Sequence, residues 1–184
     1  MIKFVGGFEK VHDLPQTQFP EYAFAGRSNV GKSSLINAVV GQNIARTSNT
    51  PGRTQTLNMF NVNDKVIILD LPGYGYARAS RADTERWMLR FQEYIMTRRQ
   101  LKRLFILIDS RIGPRTSDIE LINFCDVNGI SYQIVYTKKD KRIREKSQMV
   151  ICAEEHPAMI DDVIETSSEK KYGIDNLRAI IGIK

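Results

Sequence analysis

The sequence predicts an α/β fold: a single three-layer domain with a mostly parallel sheet, one antiparallel strand, and helices on both faces. Three observations support this. Apolar β-rich runs alternate with segments of helical periodicity along nearly the whole chain, the signature of strand–helix–strand units. Residues 104–109 form an uninterrupted apolar run, as a strand covered on both faces requires. The 184 residues, 42% of them apolar, suffice for one buried core and leave no room for a second large domain.

Residues 1–20 read as an irregular lead-in segment, at most a loose strand, and residues 21–184 as the domain proper. Residues 22–25 are a short buried strand feeding a glycine loop. Residues 32–40 are a helix with Gly41 as its C-terminal cap. Residues 54–62 and 65–71 are two strands joined by a tight Asn63-Asp64 turn, which makes them antiparallel. Residues 84–99 are a helix with Trp87, Phe91, Tyr94 and Ile95 on one face, a stripe for core packing. Residues 117–128 are a helix that turns Leu121, Phe124 and Cys125 inward. Cys125 therefore reads as a small core residue rather than a reactive thiol. A strand at 130–136, a helix at 141–155, a strand at 159–165 and a helix at 174–183 complete the pattern.

Bulk properties exclude several classes. No apolar run approaches the roughly 20 residues that span a bilayer, and the N-terminus lacks a signal-peptide pattern. The two cysteines, Cys125 and Cys152, have no metal-ligand spacing and read as reduced thiols of a cytoplasmic protein. The formal charge of +6 suggests a polyanionic partner.

Gly26-Arg27-Ser28-Asn29-Val30-Gly31-Lys32-Ser33 fits the phosphate-loop pattern G-x-x-x-x-G-K-S/T, with a strand before it and a helix after it. The two glycines allow torsions that a side chain would forbid. The loop amides then converge on phosphates, helped by the helix N-terminus that begins at Lys32. Lys32 reaches the β- and γ-phosphates, and the Ser33 hydroxyl can ligate Mg²⁺. The motif places the fold among three-layer P-loop NTPases; the small-GTPase type depends on the segments downstream. This motif alone does not choose between ATP and GTP.

Asp70-Leu71-Pro72-Gly73 follows a strand, where the carboxylate can hold a water on Mg²⁺ and the Gly73 amide can meet the γ-phosphate. Between the two motifs lies a polar segment, residues 47–56, that could carry a threonine to the metal. The residues leave Thr50, Thr54 and Thr56 open. Tyr74 occupies the position where Ras-like proteins place a water-orienting glutamine, so hydrolysis needs another group, another geometry or a partner. Asn29 either ligates K⁺ or only stabilises its loop.

Thr137-Lys138-Lys139-Asp140 follows a strand and matches the guanine signature N-K-x-D with threonine for asparagine. A carboxylate at Asp140 can accept from guanine N1–H and the 2-amino group together, a paired donor that adenine lacks. The Lys138 stem can lie over the base. Thr166-Ser167-Ser168 follows the last strand, where a backbone amide can meet guanine O6.

These segments resemble the EngB family (YihA or YsxC type) of bacterial ribosome-biogenesis GTPases, from about Phe19 to the end of the chain. The most specific stretches are residues 24–37, Thr50-Pro51-Gly52-Arg53-Thr54-Gln55, Asp70-Leu71-Pro72-Gly73-Tyr74-Gly75-Tyr76-Ala77 and Thr137-Lys138-Lys139-Asp140-Lys141. The resemblance selects Thr54 as the switch threonine, with Lys32, Thr54 and Gly73 serving catalysis and Ser33 and Thr54 the metal. It implies GTP and GDP as bound nucleotides, Mg²⁺ as cofactor, and a cytoplasmic monomer. It also implies a role in large ribosomal subunit assembly, with rRNA contact and a link to the cell cycle and septation, and neither DNA nor membrane as partner.

Two basic clusters fit such a partner: Arg78, Arg81, Arg86, Arg90, Arg98, Arg99, Lys102 and Arg103, and then Lys138, Lys139, Lys141, Arg142, Arg144 and Lys146. Two other functions compete. A P-loop ATPase or small-molecule kinase is disfavoured by Asp140. A membrane-traffic module is disfavoured by a chain ending Gly182-Ile183-Lys184 without a lipidation cysteine.

Overall fold

Alternation along the strands builds two cores, one on each face of a single sheet. In the strand β2 (Glu21–Gly26), Tyr22 and Phe24 point to one face and Ala23 and Ala25 to the other. In β5 (Leu101–Asp109), Phe105 and Leu107 join the first face and Leu104, Ile106 and Ile108 the second. The helices α1 (Lys32–Val40) and α4 (Ile174–Ile181) cover the first face. α2 (Arg81–Thr97) and α3 (Thr116–Val127) cover the second, through Phe91, Tyr94, Leu121 and Cys125. The computed structural model describes residues 1–45, 56–75, 80–142, 151, 153–160 and 162–183.

The remaining strands are β1 (Ile2–Phe8), β3 (Leu57–Val62), β4 (Val66–Asp70), β6 (Tyr132–Thr137) and β7 (Ile164–Glu165). The sheet order is β1-β3-β4-β2-β5-β6-β7. β3 alone runs against the others, pairing antiparallel with both β1 and β4. The β3–β4 turn is the Asn63-Asp64 pair, with φ of 59° and 51°. Two consecutive left-handed residues match the twist of a tight hairpin, which is why Asn and Asp stand there. α1 ends at Gly41, left-handed at φ 71°.

Three expectations need correction. The N-terminal segment is a regular edge strand, tied to β3 along its length with one irregularity between Phe4 and Gly6. The last strand has only two residues, with Met159 contributing an isolated bridge to Tyr132. The helix expected at 141–155 falls mostly outside the described residues; at its ends the chain forms short 3-10 turns, Lys139–Lys141 and Ala153–Glu155.

A buried polar cluster ties the sheet's lower edge together. Glu21 opens β2 with no exposed surface, and Arg98 after α2 pairs with it through a guanidinium fork. The Tyr94 hydroxyl donates to the same carboxylate at 3.0 Å. Arg98 also donates to the Leu14 and Pro15 carbonyls, fixing the segment that leads into β2. Arg98 is thus a core residue and leaves the expected basic surface.

Candidate nucleotide site

The parallel strands end together at one sheet edge, and all but β2 bring a polar side chain there. β2 ends at Gly26, β4 at Asp70, β5 at Asp109, β6 at Thr137 and β7 at Glu165. β2 lies between β4 and β5, so the chain crosses from one side of the sheet to the other at this point. Open α/β sheets bind ligands in the crevice above such a crossover.

The phosphate loop spans this edge. Gly31 is left-handed at φ 99° and begins α1 without a side-chain cap. Gly26 does not need positive φ, contrary to expectation. It needs space, because a Cβ there would sit 2.8 Å from Val30 Cγ1 and 3.0 Å from Leu107 Cβ. Asn29 is exposed at the loop tip with φ 65°. Lys32, in the first turn of α1 with Ser33 and Ser34, forms an ion pair with the buried Asp70 at the end of β4. This brings two predicted site residues together.

The Asp70–Gly73 segment extends the β2–β4 ladder over the loop. The Leu71 amide donates to Phe24 O at 3.1 Å and the Tyr74 amide to Gly26 O at 3.3 Å. The Ser28 amide donates to Tyr74 O at 2.9 Å, so this loop amide is engaged by the chain itself rather than aimed at a phosphate. Gly73 is exposed and lies against Ser28; a Cβ there would be 3.1 Å from Ser28 Oγ. The Tyr74 ring turns into the core, 5% exposed, beside Trp87 at a centroid distance of 4.8 Å. Its hydroxyl donates to Asp118 Oδ1 at 2.8 Å. Burial, with Asp118 beside it, raises the Tyr74 pKa well above its ordinary value. The Tyr74 side chain therefore turns away from the sheet edge, where a water-orienting group would have to stand.

The Thr137–Asp140 segment is tied to the phosphate loop by its threonine. The Thr137 hydroxyl donates to Val30 O at 2.6 Å. Lys138, left-handed at φ 57°, sends its Nζ to Asn29 O at 2.6 Å and to Asp109 Oδ2 at 2.9 Å. Burial raises the Asp109 pKa, but hydrogen bonds from Arg111 and Lys138 outweigh it and hold the carboxyl below its usual range. Asp140 is exposed, and the Ser167 hydroxyl bonded to it keeps its pKa below the ordinary value. Thr166 is buried and donates through amide and hydroxyl to Tyr136 O, while its carbonyl accepts from the Lys139 amide at 3.0 Å.

These parts enclose a cavity of about 800 Å³ lined by Gly31, Ser34, Thr137, Lys138, Asp140 and Ser168 among others, large enough for a nucleotide base and sugar. The rim is braced by residues that motif reading missed. Lys139 pairs with Glu165 and lies 4.4 Å from the Tyr172 ring centroid. Arg142 also pairs with Glu165, and Lys141 with Glu169. Only Asp109 carried a sequence signal, an acid closing an apolar strand. Glu165 and Tyr172 carried none.

The second basic cluster is thus largely paired in its described members. Arg144 and Lys146 lie outside the described residues, as do Thr50, Thr54 and Arg78. Arg86 pairs with Asp83, and Arg103 donates to Gln133.

Comparison with known proteins shows the family. The family described as "50S ribosome-binding GTPase" matches residues 21–138. A probable GTP-binding protein EngB of Roseobacter denitrificans is 44% identical over 97% of this chain and 86% of its own length. One from Rhizobium leguminosarum is 45% identical, over 97% and 89%.

The chain belongs to the EngB family of GTP-binding proteins.

Solved structures agree on the fold. The crystal structure of a probable GTP-binding protein engB superposes with a TM-score of 0.67 at 23% identity, covering 88% of this chain and 96% of that one. Era in complex with MgGDPNP and nucleotides 1506-1542 of 16S ribosomal RNA gives 0.64 at 23% identity, covering 91% and 57%. As in the EngB family generally, the G domain here is that of a GTPase. Among the described residues no helix is long and apolar enough to cross a membrane.

Proposed function

We propose that this chain binds GTP and GDP at the sheet edge, hydrolyses GTP, and acts as a nucleotide-dependent switch in assembly of the large ribosomal subunit. The observation that carries the nucleotide reading is the Thr137–Val30 hydrogen bond, which locks the base-reading segment to the phosphate loop across 107 residues of sequence. Two loops in fixed register fit one ligand with a phosphate end and a base end. In this reading the loop of Gly26, Arg27, Ser28, Asn29, Val30 and Gly31 wraps the phosphates, the Ser28 amide being held by Tyr74 instead, with Lys32 as their point charge. Lys138 lies along the base, Asp140 reads its two donors, and the Thr166-Ser167-Ser168 backbone meets O6.

The residues fit a magnesium ion. Ser33 supplies a hydroxyl in the first turn of α1, and Asp70, ion-paired with Lys32 at the end of β4, a carboxylate that would hold a water on the ion, a hard-oxygen set. Thr54 would add a third oxygen. Bound there, Mg²⁺ would neutralise charge developing between the β- and γ-phosphates. Lys32 and the Gly73 amide serve the same charge from the protein's side. Intrinsic hydrolysis is slow, because the Tyr74 side chain is buried and orients no water. Equal rates in KCl and NaCl at matched ionic strength would reject a K⁺ role for Asn29.

The ribosomal part rests on the family's description and on cations of the first cluster, among which Arg99 and Lys102 are exposed. The test is co-sedimentation with purified ribosomal subunits, using GDP and a non-hydrolysable GTP analogue across a salt series. The GTP form binds the large subunit about 5–150-fold more tightly, and binding weakens steeply with salt. Equal binding in both nucleotide states, or binding indifferent to salt, rejects the switch.

A further inference from the structure

We infer that Asp118 is a positioning residue for GTP hydrolysis, holding the Gly73 backbone against the phosphate loop through the Tyr74 hydroxyl. The inference rests on the phosphate placement proposed above. Tyr74 is fixed at three points. Its amide donates to Gly26 O, its carbonyl accepts from the Ser28 amide, and its hydroxyl donates to Asp118 Oδ1 at 2.8 Å. The first two anchors tie it to the phosphate loop and the third to α3. Gly73 is the next residue back, and a Cβ on it would lie 3.3 Å from both Ser28 Cα and Ser28 N. Any rotation of Tyr74 therefore moves Gly73 relative to the loop.

Asp118 is itself buried and held at both carboxylate oxygens. It is 1% exposed in the first turn of α3, and its other oxygen accepts from the Arg115 amide at 2.8 Å. The Arg27 side chain reaches from the loop to the same corner, where a Cβ on Gly75 would meet Arg27 Nε at 3.2 Å and Ser117 Oγ at 2.9 Å. Phosphate loop, Asp70–Gly73 segment and α3 thus meet at one buried point.

Packing alone does not call for this arrangement. The Tyr74 ring already packs at a tilt against Trp87, which stacks on Phe91, and a phenylalanine would fill the same space. A hydroxyl–carboxylate pair adds direction. It is costly to bury unless both members are partnered, and once partnered it permits one rotamer. Hydrolysis needs such direction, since a displacement of about 1 Å near reacting groups can cost about a hundredfold in rate.

The test compares wild type with Tyr74→Phe, Asp118→Ala, Asp118→Asn and the Tyr74→Phe/Asp118→Ala double variant. Single-turnover GTP hydrolysis, GDP affinity and thermal unfolding are measured for each. Tyr74→Phe and Asp118→Ala each lower the rate about tenfold, the double variant is no slower than the slower single, and GDP affinity stays within about twofold. Asp118→Asn keeps an acceptor for Tyr74 and recovers most of the rate lost in the alanine variant. Tyr132→Phe is the control. It removes a similar bond to Asp126, 3.2 Å long, at the start of β6 and far from the site, so it lowers Tm without changing the rate. An unchanged or faster rate in Tyr74→Phe overturns the inference. So does a rate that follows Tm across the set, with asparagine as slow as alanine. If wild type binds no GDP, the nucleotide reading falls and this inference with it; if GDP binds and the rates are indifferent, only the inference falls.

Discussion

Replacing Thr137 with valine probes the link between the two halves of the site. Valine keeps the shape and β-branching of threonine but loses the hydroxyl. The hydroxyl is buried, its residue only 3% exposed, and its proton goes to Val30 O at 2.6 Å rather than to Ile108 O at 3.4 Å. Val30 is 4% exposed, so water does not readily replace the lost donor. A buried acceptor left unpaired costs about 1–3 kcal/mol. At the low thermal sensitivity of a domain this size, about 2 kcal/mol lowers Tm by roughly 4–8 °C. If about 1–2 kcal/mol of it falls on the register of the two loops, GDP affinity drops roughly 5–30-fold. Titration with fluorescent GDP beside thermal unfolding, with and without nucleotide, measures both. A lower Tm with unchanged GDP affinity would refute the coupling and leave Thr137 a structural residue. Thr137→Ser, which retains the donor, separates loss of the bond from loss of the methyl group.

Three further outcomes are expected. Asp140→Asn weakens GDP binding by about a hundredfold or more and shifts preference toward xanthine nucleotides, whose ring offers an acceptor where guanine has a donor; competition binding reads this, and unchanged GDP affinity rejects Asp140 as the base reader. Arg98→Ala strands the buried Glu21 carboxylate and lowers unfolding free energy by about 3–5 kcal/mol, whereas Arg99→Ala at the exposed neighbour stays within about 0.5 kcal/mol; urea titration distinguishes them. Burial pushes the Cys125 thiol up to about 12 from an ordinary 9.0. The unfolded chain therefore loses this proton first, and the Cys125 contribution to stability declines as pH rises above about 9. A thiol reagent at pH 8 labels Cys125 only on unfolding, and rapid labelling of the native protein would contradict its burial.

The sequence by itself determined most of the strand–helix order and picked out the phosphate-loop motif and the Asp70–Gly73 and Thr137–Asp140 segments. These are local matters. Alternation marks a strand, a left-handed requirement marks a glycine or asparagine, and Gly31, Gly41 and the Asn63-Asp64 turn adopt the torsions their residue types favour. Tertiary structure decided what each polar group faces. Arg98 sits in a basic run and reads as surface, yet Glu21, 77 residues away, draws it into the core. Gly26 reads as a glycine chosen for its torsions, yet its constraint is the nearness of Val30 and Leu107. Tyr74 reads as a failed glutamine, and only the fold brings Asp118 to its hydroxyl. Lys139, Lys141 and Arg142 read as cations for a polyanion, and Glu165 and Glu169 claim them. Hydrophobic period is a property of neighbours along the chain, whereas charge pairing and buried hydrogen bonds join residues tens of positions apart. No spacing rule encodes such pairs, because their cost and gain exist only once the sheet has assembled.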